Sequence, residues 1–328
     1  MVPWLGRLFA ALTALAVLAA IALFFFLRAF DQPGPLAEDI VLEIPRGAGL
    51  GAIADQFKDA GIVRNRWVFY AGVRLKGADR GLRAGEYHFP AAVSGAAALD
   101  ILTNGRAVAY SITIPEGLTS HEIVELISAA PDLVGEIDEV PPQGSLLPET
   151  YLFTRGDTRA DIIARMQAAM IEAVERLWAE RAEGLPFDTP EQAVILASII
   201  EKETGVNSER AVVAGVFINR LRRGMRLQTD PTVIYALTNG ERPLGRELWR
   251  RDLTVDSPYN TYKVVGLPPG PIANPGLPAL EAAMNPAETE YLYFVADGSG
   301  GHAFAKTLRD HNRNVTEWRR FQRQNGSN

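Results

Sequence analysis

The 328-residue chain contains no cysteine. That excludes a thiol nucleophile, disulfides and thiolate metal sites, and it suits an oxidising compartment, where a stray thiol is a liability. Histidine is scarce as well. His88, His121, His302 and His311 fall in no HExxH or comparable spacing, so no metal is expected, and no cofactor is implied. His302 and His311 read as polar contacts around a hairpin. A Gly-x-Ser-x-Gly elbow is missing, which leaves a serine triad without its usual support. Net positive charge is missing too: the formal charge is −6, against the basic footprint of a nucleic-acid binder.

Long uncharged runs are rare, and one stands out. Leu8 to Leu27 is 20 residues without charge between Arg7 and Arg28, and at 1.5 Å per residue it matches the roughly 30 Å hydrocarbon core of a bilayer. A signal peptide has a shorter apolar core and a small-residue cleavage site. The end of this run, Phe24-Phe25-Phe26-Leu27-Arg28-Ala29-Phe30, is bulky. The run is therefore read as a retained single-pass anchor. One arginine on each side leaves the orientation open on charge alone.

Beyond a breaker-rich linker, Asp31-Gln-Pro-Gly-Pro35, the pattern is α+β. A strand at 40–45, helices at 50–60 and 66–75, a strand at 85–89 and a helix at 94–103 make a small module with no convincing nucleophile or acid pair, whose expected role is recognition. A strand at 107–115, a helix at 120–129 and an acidic loop at 131–142 follow. A long amphipathic helix is expected at 159–183. Thr189-Pro190 is a strong helix start, an N-cap followed by proline. The C-terminal third reads as loop-rich, with a short helix at 279–283, and a hairpin built from 291–295, the turn Asp297–Gly301 and 302–304. Its loops of Pro, Gly, Asn and Tyr suit a groove for a polymer with hydroxyls and amides. Tyr259, Tyr262, Tyr291 and Tyr293 could stack sugar rings there, although ordinary packing explains Tyr291 and Tyr293 as well.

Chemistry concentrates between Leu196 and Tyr235, where Glu201 and Glu203 close an apolar helix and Gln228-Thr229-Asp230-Pro231-Thr232 follows a second one. A carboxyl on the apolar side of a helix C-terminus is pushed toward its neutral form by desolvation and by the helix dipole. That is the setting of a general acid. Residues two apart on a helix point in nearly opposite directions. Glu203 shares the stripe of Leu196, Ile199 and Ile200, whereas Glu201 shares a smaller, partly polar face with Val194, Ala197 and Ser198. Glu203 is the better candidate. Periodicity alone leaves open that both are exposed helix-end charges pairing with Lys202 or Arg210.

Several segments resemble, in order over roughly residues 36–320, the YceG-like family of membrane-anchored endolytic murein transglycosylases. They are Ala197-Ser-Ile-Ile-Glu-Lys-Glu-Thr204, Val216-Phe-Ile-Asn-Arg-Leu221, Met225 to Tyr235, Tyr259-Asn-Thr-Tyr262, Gly266-Leu-Pro-Pro-Gly270 and Tyr291 to Asp297. The resemblance implies an anchor over 1–30, a LysM-like peptidoglycan-binding module over 36–106 and a catalytic domain over 107–320. The family's catalytic glutamate falls on Glu203. The implied activity is cleavage of the MurNAc–GlcNAc β-1,4 bond of peptidoglycan to give 1,6-anhydroMurNAc ends, at the cell (inner) membrane with the soluble part outside the cytoplasm. Implied partners are glycan strands, the bilayer and wall-synthesis enzymes. Glu201, Gln228, Thr229, Asp230, Tyr259 and Asn260 are expected to position the saccharide, with Glu149 supporting the acid from a neighbouring loop. Leu146-Leu147 stands where relatives often have aromatics. Two other readings are a non-catalytic peptidoglycan-binding scaffold, and a two-carboxylate hydrolase using Glu201 or Asp230 as base, which would leave reducing ends.

Overall fold

The computed structural model of the protein describes residues 3–325, so the first two residues of the expected anchor lie outside the described residues. The chain divides into two compact units, Met1–Tyr110 with Leu152–Asp157, and Ser111–Tyr151 with Thr158–Asn328.

The first unit starts with α1 (Pro3–Asp31). Its Leu8–Asp31 stretch, which contains an 18-residue window with a mean hydropathy of 2.7, is long and apolar enough to cross a membrane. Strand β1 (Ile40–Ile44), helices α2 (Leu50–Asp59) and α3 (Arg66–Leu75), strand β2 (Gly85–Phe89) and helix α4 (Gly95–Asn104) follow in the expected order. β1 and β2 pair antiparallel with Ile40 opposite Phe89 and Ile44 opposite Gly85. Asn65 and Ser94 cap α3 and α4 by accepting from backbone N–H groups two and three residues on. The core centres on Phe57, whose ring centroid lies 4.8 Å from that of Phe69 and 5.1 Å from that of Phe89. Phe30, at the end of α1, is 2% exposed and joins this core. Its ring comes so close to α3 and α4 that a Cβ on Gly72 or Gly95 would lie 2.5 or 3.0 Å from it. Only glycine lets the helices approach that closely. The expected linker after α1 is also pinned: the Gly34 N–H donates to the carbonyls of Ala92 and Val93 at 3.2 and 3.1 Å.

Further along, β3 (Tyr110–Thr113) and β4 (Thr150–Phe153) form a two-stranded ribbon, and α5 (Ser120–Ser128) lies between them in sequence. Helix α6 (Arg159–Ala179) ends before the expected 183, because the chain turns away and the Ala182 N–H donates to the Met284 carbonyl at 3.0 Å. Helix α7 (Pro190–Glu203) begins with the Thr189–Gln192 capping box and proline at its first turn. Every residue from Ala193 to Ile200 is buried, so α7 is the central rod of the second unit. Helices α6, α8 (Arg210–Arg222) and α10 (Leu277–Met284) surround it. Helix α9 (Asp230–Thr238) comes before α10, and strands β5 (Tyr293–Ala296) and β6 (His302–Ala305) form the expected hairpin. Helix α11 (Leu308–Asn325) ends the described chain. Helices α9 and α11 are not among the elements expected from the sequence.

Candidate active site

Burial of α7 on all sides puts both of its terminal glutamates in low-dielectric surroundings, and burial raises both carboxyl pKa values above the ordinary range. What separates them is the company each keeps. The Glu201 side chain is only 4% exposed. Arg210 Nη2 donates to Glu201 Oε1 and to Glu116 Oε2, each at 2.9 Å, and the Gly276 N–H donates to Glu201 Oε2 at 2.9 Å. These contacts oppose the effect of burial, and the Glu116 charge adds to it. Glu201 is thus committed to a structural ion pair and lines no part of the cleft described next.

Glu203 is half-buried and faces a cavity of about 480 Å³. Its carboxyl forms no ion pair among the described residues. Burial dominates its raised pKa and the Asp230 charge adds to it; Thr229, His302 and Arg220 pull the other way, in that order. The Thr229 hydroxyl is buried beside it and has no hydrogen-bond partner among the described residues. An acid whose neutral form is favoured by burial, beside groups that favour its anion, can give its proton up and be stabilised once it has done so.

The rest of the wall is assembled from distant segments. Gln228 takes a positive φ of 51° at the corner between α8 and α9. That corner is tied down by threonines. The Thr229 N–H donates to Thr261 Oγ1 at 3.1 Å, and Thr232 Oγ1 and Thr261 Oγ1 lie 2.8 Å apart. Asp230, on the first turn of α9, accepts from the Tyr262 hydroxyl at 2.6 Å. Burial, with Asp230 behind it, holds the Tyr262 phenol well above its ordinary pKa, so the group stays a donor. Arg220 is 8% exposed and donates to the carbonyls of Leu292 and Leu227 at 2.7 and 2.6 Å. It forms no ion pair among the described residues, so a nearly uncompensated guanidinium borders the same cavity as Glu203. His302 is gripped by Glu209, whose Oε2 lies 2.7 Å from the imidazole Nδ1 and whose Oε1 accepts from the His302 N–H at 3.0 Å. His311 stacks on Tyr293 with centroids 5.2 Å apart, and burial lowers its pKa, with Arg220 acting in the same direction.

The structure therefore brings Glu203, Gln228 and Asp230 together at one cavity, with Thr229 buried beside the acid. The other expected contacts lie elsewhere. Asn260 is fully buried, and its amide donates to the carbonyls of Leu253 and Val255 at 3.0 and 2.8 Å while accepting from the Tyr262 N–H. It shapes the loop that presents Tyr262. Tyr259 packs on Tyr235 at 4.8 Å and does not line the cavity. Glu149 is exposed, accepts from the Thr150 N–H and does not line the cavity. Arg220, His302 and His311 are cleft residues that the sequence reading does not select. Among the described residues no group of three or more His, Asp or Glu side chains is placed to hold a metal ion.

The model of the YceG-like family matches residues 42–317. The chain belongs to this family. An endolytic murein transglycosylase of Bacillus subtilis is 34% identical over 304 residues, covering 83% of this chain and 82% of that protein. The endolytic murein transglycosylase of Streptococcus pneumoniae serotype 2 is 29% identical over 355 residues, covering 93% of this chain but 64% of the longer relative. A crystal structure of a yceG-like protein from Listeria monocytogenes shares the fold with a TM-score of 0.51 at 33% identity, covering 84% of this chain and 99% of that one.

Proposed function

We propose that the chain is an endolytic lytic transglycosylase of peptidoglycan in which Glu203 is the single acid and base. The observation that carries this reading is the contrast on α7: Glu201 is spent on Arg210, while Glu203 stands unpaired at a cleft beside a cation. The names of the relatives supply the substrate class.

Glycosidases usually divide the work between two carboxylates. Here one suffices, because the substrate carries its own nucleophile. Glu203 protonates the oxygen bridging MurNAc C1 and GlcNAc C4, the C1–O bond breaks, and GlcNAc leaves with a free 4-hydroxyl. The developing positive charge on C1 faces the new Glu203 carboxylate, which Arg220 and His302 in turn stabilise. The MurNAc C6 hydroxyl then closes on C1 and returns its proton to Glu203. The product is the 1,6-anhydro sugar, and the enzyme is back in its starting state. Asp230, held by Tyr262, and Gln228 are the groups on this wall that fix the saccharide.

In the same reading α1 anchors the protein in the cell membrane with everything from Asp31 onward outside the cytoplasm. Residues 36–106 act as a LysM-like module that holds glycan, and residues 107–320 act as the catalytic domain, close to the wall-synthesis enzymes. The strand–helix–helix–strand order of the first unit supports the module assignment. Mass spectrometry of material released from purified sacculi tests the chemistry. Anhydro ends are expected. Reducing ends would mean a hydrolase, and no cleavage would mean a scaffold.

A further inference from the structure

A second cavity, of about 340 Å³, also opens onto Glu203 and shares Glu203, Ala296 and His302 with the first. Its remaining wall differs in kind. The first cavity carries Arg220 and Asp230, whereas the second has no ionisable side chain beyond the shared Glu203 and His302. It is built from Gly298, Gly300 and Gly301 of the β5–β6 turn and from Trp318 and Phe321 of α11. Those two rings lie one helical turn apart and nearly parallel, with centroids 5.6 Å apart and planes at 18°. The turn is closed by Asp297, whose N–H donates to the Gly301 carbonyl at 3.0 Å and whose Oδ1 accepts from the Ser299 N–H at 2.8 Å. Gly298 has a φ of +89°, and a Cβ there would lie 2.7 Å from the Phe321 ring. The turn and the aromatic pair are thus fitted to each other.

An acid that protonates a bridging oxygen needs a sugar ring on each side of it, and two cavities meeting at one carboxyl provide those places. Resting on the transglycosylase reading above, we propose that the second cavity binds the departing GlcNAc ring, with Trp318 as its stacking face. The two cavities sort the two sugars by charge. MurNAc carries a stem peptide with ionised groups and matches the cavity with Arg220. GlcNAc has no carboxyl, and its ring presents an apolar C–H face to the indole. The bare glycine turn leaves room for the N-acetyl group and offers backbone donors and acceptors.

The test uses the full-length protein in detergent with Glu203→Gln, so that sugar binds without turnover. The first probe is N,N′-diacetylchitobiose, a GlcNAc disaccharide with no lactyl group, followed by the indole N–H resonances of the five tryptophans. The Trp318 signal, assigned by its loss in Trp318→Phe, is expected to shift. Affinity for peptide-free glycan strands should fall roughly 2–10-fold in Trp318→Ala and recover in Trp318→Phe, the range expected for one stacked ring. An unmoved Trp318 resonance overturns the proposal, and so does unchanged strand affinity in a Trp318→Ala protein that melts normally. If the wild-type protein still releases anhydro ends, such a result removes only this subsite. Absence of anhydro ends removes the underlying reading instead.

Discussion

The same substitution placed two residues apart on α7 should have opposite consequences. Glu201→Gln removes a charge from a buried pair. The amide that replaces the carboxylate can still accept from the Gly276 N–H, but it no longer neutralises Arg210, which keeps only the more exposed Glu116. Losing a charge-assisted hydrogen bond in such surroundings costs about 1.5–3 kcal/mol. At about 2–4 °C per kcal/mol for a domain of this size, the melting temperature should drop by roughly 3–12 °C. Activity at a temperature where the variant is folded should be largely kept. Glu203→Gln breaks no ion pair and relieves the burial of a carboxylate. It should be as stable as wild type or more so, by up to about 2 kcal/mol, as is common where a site trades stability for function. Activity should fall by at least about 10²–10⁴-fold, because the amide can neither deliver nor take back the proton. A raised carboxyl pKa means the folded protein holds its proton more tightly than the unfolded chain. The Glu203 contribution to stability is therefore full below the ordinary value of 4.5 and is lost as pH rises through the raised value. Any gain from Glu203→Gln should accordingly appear near neutrality and vanish near pH 4. The assays are thermal melts at both pH values and muropeptide mass spectrometry. If Glu201→Gln is the inactive variant at unchanged stability, while Glu203→Gln stays active, the assignment of roles is reversed.

Activity itself should decline as pH rises through the raised pKa of Glu203, measured as kcat against pH; Arg220→Met removes a charge that favours the anion and should move that limb to higher pH. Gly72→Ala should destabilise the first unit by about 1–3 kcal/mol, seen as an earlier melt, because its methyl would enter the Phe30 ring. N-terminal sequencing of membrane-extracted protein should read through the apolar run rather than start near residue 30, and a reporter active only outside the cytoplasm should work when fused after Asn328.

The order of elements in the first unit is legible in part from local signals: Asn65 and Ser94 stand just before the apolar repeats of α3 and α4. Helix α11 also carries one: Thr307 accepts from the Asp310 N–H, a cap visible as Thr-x-x-Asp, and Leu308, His311, Val315 and Trp318 follow at helical spacing. An apolar stripe does not separate Glu203 from Glu201, because the helix that carries them is buried on all its faces. The real discriminator, Arg210 beside Glu201, depends on how α8 packs. Asn260 looks like a sugar ligand in sequence because it sits in a polar loop. Buried loop carbonyls need donors, however, and its amide is used on them. Arg220 and His302 are 82 positions apart, and no local pattern announces that α8 and the β5–β6 hairpin bring them to the same cavity as Glu203.

The junction between α1 and the rest of the first unit is tightly packed. Phe30 is locked against Gly72 and Gly95, and the next residues are stitched to the loop before α4 by Gly34 and by the bridge between Pro33 and Ser94. The anchor thus ends in a fixed mount rather than a tether. With α1 in a bilayer, the first unit cannot roam outward on a slack chain and is held at the level where the helix leaves the lipid. Lengthening the 31–35 segment would turn a depth gauge into a leash.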